Sequence, residues 1–111
     1  MLTSNSARVS AHAVCSSGDA VLIISEDGIN FVAGQIVRFA SIKHVGDFAL
    51  VRMWKFVSAD ATSGCATWHM VDDANVLRID LVLAPVIWTR SSDHARTLIP
   101  HQFRGLRAVA V

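Results

Sequence analysis

Turn signals break this chain so often that no long element fits between them. Gly18-Asp19, Glu26-Asp27-Gly28, His44-Val45-Gly46-Asp47, Ser58 to Cys65, Asp72-Asp73-Ala74-Asn75 and Ser91-Ser92-Asp93 separate a series of β-prone runs. Turns recurring about every 8 to 12 residues point to an all-β sandwich or barrel. No window carries a sustained helical apolar period, so little helix is expected. Short strands leave many exposed sheet edges, and closure is the usual way to remove them. The expectation is therefore an all-β fold, a small bent β-barrel of about five to seven short strands.

"VSAHAVC" is a weak first run and "GDAVLIIS" a strong one. "NFVAGQIVRFASI", Asn30 to Ile42, carries Gly34, where a strand glycine marks a bulge or a close backbone approach. The turn at His44 to Asp47 leads into "FALVRMWKFV", which makes residues 30–57 a hairpin. Alternation across that stretch puts Phe48, Leu50, Arg52, Trp54 and Phe56 on one face. Ala49, Val51 and Met53 then face the core, with Arg52 and Trp54 on the more exposed side and Lys55 near a strand end.

"SADATSGC" reads as a surface loop, followed by the run "ATWHMV" and the turn "DDAN". Leu77, Ile79, Leu81 and Leu83 alternate with Val76, Arg78, Asp80 and Val82, which is read as strand, short turn, strand. A competing reading makes Asp80 the cap of one helical turn, "LVLA", ending before Pro85. "RTLIP" is a further short strand, and "HQFRGLRAVAV" a last extended or one-turn segment. Residues 1–8 are small and polar, a flexible tail, and 9–111 form a single β-barrel domain, since the chain is too short for two ordinary domains.

Several of these motifs carry a resemblance. "GDAVLI", the Asp27-Gly28 turn, "FVAGQIVRF" and "ALVRMWKF" together resemble the opening of a bromo-adjacent homology domain, over residues 18 to 57. The resemblance implies a bent barrel and a chromatin role, with modified histone or DNA as partner. Gly34-Gln35-Ile36, Phe48-Ala49-Leu50-Val51 and Ile79 through Pro85-Val86 also resemble the β-rich segment of proteins encoded by fungal transposable elements. That likeness implies a domain of unassigned role within a mobile-element protein.

Composition bears on partners. Hydrophobic residues make up 52% and charged residues 17%, against roughly 25% charged in an ordinary soluble domain. Some apolar surface is therefore expected to be buried against a second copy, a neighbouring domain or a ligand. A net charge of +1 gives no general attraction to phosphate, although Arg90, Arg96, Arg104 and Arg107 add a modest basic excess to the last quarter. No apolar run reaches the roughly 18 residues of a membrane span, and no signal peptide is evident. Two cysteines, Cys15 and Cys65, suit a reducing, intracellular compartment, nuclear under the chromatin reading.

Three constellations could carry chemistry. Trp54, Trp68 and Trp88, with Phe31 and Phe48, could cage a methylated lysine beside Asp72 or Asp73, or could simply fill the core. His12, Cys15, Cys65 and His69 are zinc-type ligands, yet residues i and i+4 of a strand lie about 13 Å apart. Cys65, His69 and Asp72 have the types of a nucleophile, base and orienter without the means to converge on a strand. No enzyme activity and no cofactor are expected. The expected function is a non-enzymatic interaction module that binds a protein partner or self-associates. Its candidate contacts are Arg52, Trp54, Trp68, Asp72 and Trp88.

Overall fold

A computed structural model describes residues 2–10, 13–24, 30–60, 62–100 and 107–108. The strands are β1 (Leu2–Ser4), β2 (Ser6–Ser10), β3 (Ala13–Ser16), β4 (Ala20–Ile24), β5 (Asn30–Ile42), β6 (Gly46–Met53) and β7 (Lys55–Asp60). They continue as β8 (Cys65–His69), β9 (Ala74–Arg78), β10 (Val82–Val86), β11 (Trp88–Ser91), β12 (His94–Leu98) and β13 (Arg107–Ala108). The fold is all-β. Among the described residues helix is limited to one 3-10 turn, Ile79–Leu81, whose N-cap is Arg78 and not Asp80. None of the described helix is long and apolar enough to cross a membrane.

The main sheet runs β10-β4-β5-β6-β9, antiparallel along this path, and β13 adds to β5 in parallel. Its end strands, β9 and β10, are joined only by the three residues of the 3-10 turn. A flat sheet would hold them about 19 Å apart, four spacings of about 4.8 Å, whereas the chain from Arg78 to Val82 reaches about 14 Å at most. The sheet must therefore bend sharply on itself. β9 and β10 are not paired with each other among the described residues, so the bent sheet stays open along that seam. The thirteen strands among the described residues exceed the five to seven expected, because a second sheet and several short edge strands add to these five.

Residues 2–8 are drawn into strands β1 and β2 in place of the tail expected of them. β5 is longer than its neighbours, and Leu2–Ser4 pair with its far end, Thr3 opposite Ala40. β2 and β3 form a separate hairpin. A second sheet, β11-β12-β8-β7, packs over the outer face of the first.

β4 explains the two layers. Its sequence, Ala20-Val21-Leu22-Ile23-Ile24, is continuously apolar, as expected for a strand covered on both faces. Val21 and Ile23 point inward with Cys15, Ile36, Phe39, Ala49, Val51 and Val82. Ala20 and Leu22 point outward, into an inter-sheet core with Phe31, Ala33, Trp54, Trp68, Ala95 and Ile99. Burying a side chain such as Leu22 contributes about 1.5–3 kcal/mol.

The hairpin expected over residues 30–57 ends at Met53. Trp54 belongs to neither strand, its N–H donates to Ala33 O at 2.9 Å, and β7 then joins the second sheet. Gly34 permits the crossing by close approach, while the bulge in β5 falls between Ile36 and Arg38. The segment expected as a loop, Ser58 to Cys65, is mostly the end of β7 and a tight turn in which Gly64 N–H donates to Asp60 O at 2.8 Å.

Candidate partner-binding site

Alternation along β6 holds as far as Arg52: Ala49 and Val51 are fully buried, Met53 packs beside them, and Arg52 is exposed. Trp54 departs from the expectation. It does share the outward face with Arg52, but the second sheet covers that face there, and Trp54 is only 2% exposed. Its ring lies 5.3 Å from that of half-buried Trp88. Trp68 is 0% exposed and meets Phe31 and Phe56 at centroid distances of 6.1 and 5.5 Å. Its indole N–H donates to Thr97 Oγ1 at 2.9 Å. Among the five expected contacts, Trp54 and Trp68 are thus core residues, the first packed on the ring of Trp88 and the second on those of Phe31 and Phe56.

No cage forms from these rings. Phe48, half-buried, instead lines an open groove of about 590 Å³ with Leu2, Phe39 and Ile79. Packing ring on ring satisfies the large apolar area of tryptophan.

Arg52 and Asp72 do come together, with Arg52 Nε 4.0 Å from Asp72 Oδ1. With Gln35, Met70, Arg90 and the rim of Trp54 they line an open cleft of about 250 Å³. Arg90 reaches this cleft because it stands opposite Ala95, on the inner face of the second sheet. Arg96 stands opposite Thr89 on the outer face, so these two arginines share no patch. Arg104 lies outside the described residues, as does the side chain of Arg107.

The zinc-type set does not converge among the described residues. Cys15 is in the inner core, Cys65 and His69 occupy opposite ends of β8, and His12 lies outside the described residues. Burial, with Asp19 nearby, pushes the Cys15 thiol up to about 11. His69 is far from Cys65 along the strand and bonds instead to Asp93, Nε2 to Oδ2 at 3.0 Å. His94 Nδ1 bonds the other oxygen of Asp93 at 2.8 Å. Bonding to His69 above all holds the Asp93 carboxyl below the ordinary range. His94 does not neighbour His69 in sequence, and only the strand register makes them partners.

Beside the cleft begins the feature that sequence reasoning missed. Among the described residues β9 pairs only with β6, and its other side is a free edge. Met53 N–H donates to Asp73 O at 2.8 Å, so antiparallel alternation turns the polar groups of residues 73, 75 and 77 toward β6. Those of Ala74, Val76 and Arg78 point outward, and the Val76 side chain is 67% exposed. Other edges are blunted: β10 by Pro85 and a bulge, β7 by a bulge between Phe56 and Ser58. Among the described residues, β9 is the only edge strand of five or more residues with neither device. Alternation locates such a strand in a sequence, but nothing local tells which side of it stays unpaired.

No protein-family model, curated protein or solved structure matches the chain.

Proposed function

We propose that this chain is a protein-interaction module that docks an extended segment of a partner along the free edge of β9. Main-chain bonds to Ala74, Val76 and Arg78 would supply the affinity, as in other cases of strand addition. The cleft of Arg52, Asp72 and Arg90 at the start of β9 would receive a polar side chain of the docked segment. The observation that carries this reading is the contrast between β9 and the blunted edges. The low charged fraction of 17% also fits a chain that hides apolar surface against a partner. A module of this kind is compatible with the likeness to transposable-element proteins. The chromatin alternative has no specific geometry in its favour, since the rings fill the core and Arg90 and Arg96 face opposite ways.

The test is selection of octapeptides from a displayed random library. Binders should be β-prone and should lose binding to Val76→Pro. Proline is tolerated where the N–H faces solvent, so this change removes an outward donor without removing a bond to β6. Equal binding to Val76→Pro would refute the docking edge.

A further inference from the structure

We infer that the segment docked on β9 is β9 of a second copy, paired antiparallel about a two-fold axis at Asn75. The inference rests on the reading of β9 as the docking edge and names its occupant. The chain of charges along that edge is self-complementary: it starts with Asp72 and ends with Arg78. With Asn75 on the axis, Arg78 of each copy stands opposite Asp72 of the other, and Val76 opposite Ala74. Ala74, Val76 and Arg78 belong to the set whose main-chain groups point outward, so Ala74 and Val76 of the two copies meet in register, with Asp72 two residues before the strand and facing the Arg78 end. The two Asn75 side chains meet on the axis, where one amide can donate to the other.

The neighbouring register argues the same way by its cost. Centring on Val76 would leave Arg78 opposite Ala74 and bring the Asp72 end toward Asp80 in the turn after the other copy's β9, so no Asp–Arg pair would form and like charges would approach. The present partners of these groups are easily exchanged. Arg52 and Asp72 lie 4.0 Å apart with side chains 56% and 95% exposed, and Arg78 and Asp80 lie 3.5 Å apart, also exposed. Solvent-exposed pairs of this kind hold their partners only weakly. On the outward face, Val76 lies next to Leu50 on β6, with Phe48 beside it. Pairing two copies would continue this row of apolar side chains across the axis.

Because only one strand per copy meets, the interface is small and the dimer is expected to be weak. Sedimentation equilibrium from micromolar to about millimolar protein reads it. Wild type should dimerise, and Asp72→Arg and Arg78→Asp should each weaken self-association about tenfold or more, since each creates two like-charge contacts. An equimolar mixture of the two variants should regain the dimer, because every contact across the axis is then Arg against Asp. A wild type that stays monomeric, or a mixture no better than its components, overturns the inference. If wild type is monomeric yet octapeptides bind it and not Val76→Pro, the self-pairing fails and the docking edge stands. If wild type dimerises and Val76→Pro dimerises equally, both fail.

Discussion

Replacing Gly34 by alanine tests how the chain crosses from one sheet to the other. A Cβ built there stands 2.6 Å from Arg52 O and 2.6 Å from Val51 Cγ1. Tolerated carbon–oxygen contacts between strands are about 3.3–3.6 Å, so the backbone contact alone is short by about 0.7 Å. Neither neighbour can easily yield. Arg52 is held in a ladder between β5 and β9, and Val51 is fully buried with a stiff β-branched side chain. Overpacking of this kind costs about 1–3 kcal/mol, and the lower chain entropy of alanine when unfolded returns about 0.4–1 kcal/mol at most. A net loss of about 1 kcal/mol or slightly more is expected, or a fall in Tm on the order of 5 °C for a domain of this size. Urea unfolding followed by tryptophan fluorescence measures it, since Trp54 follows directly after the strained strand. Val51→Ala destabilises by itself, since Val51 is fully buried, but should cost less in the Gly34→Ala background, as it clears one of the two contacts and not the backbone one. A Gly34→Ala protein within about 0.5 kcal/mol of wild type would show that the close approach is not a constraint.

Thr97→Val removes the acceptor of the buried Trp68 indole N–H and keeps the shape, so a loss of about 1–3 kcal/mol is expected by denaturant titration. Asp93→Asn should destabilise the protein at neutral pH. Because the folded carboxyl is held below its unfolded value, that stability is present above pH about 4 and fades as pH falls through the folded pKa. The two proteins should therefore converge in strong acid, read as urea midpoints against pH. Cys15 has the opposite sign: its thiol is raised from 9.0 to about 11. Its contribution should be complete below pH 9.0 and lost by about 11, and native protein should react with a thiol reagent at half-buried Cys65 and not at Cys15.

Much of the fold was legible in the residues themselves. Turn chemistry marks the strand boundaries because glycine, asparagine and aspartate act on the backbone locally. The continuous apolar run of β4 and the placement of Ala49, Val51 and Met53 follow from strand alternation, which is equally local. Gly34 announced a backbone constraint, though only the register shows that its neighbours are Val51 and Arg52. Arg52 and Asp72 could be named as candidates, and the structure does bring them within reach of each other.

What alternation cannot say is what lies against each face or edge. Trp54 falls on the outward side as counted, and its burial comes from a second sheet whose strands lie up to some forty residues further along the chain. For the same reason His69 meets Asp93 and His94 in place of Cys65, and the first residues become a strand because β5 offers them an open ladder. The sequence alone determined an all-β chain of short strands, because propensity and turn geometry act over a few residues. Which rings became core, and which edge was left free on β9, depended on long-range pairing, because each strand's exposure is set by the neighbour it does or does not acquire.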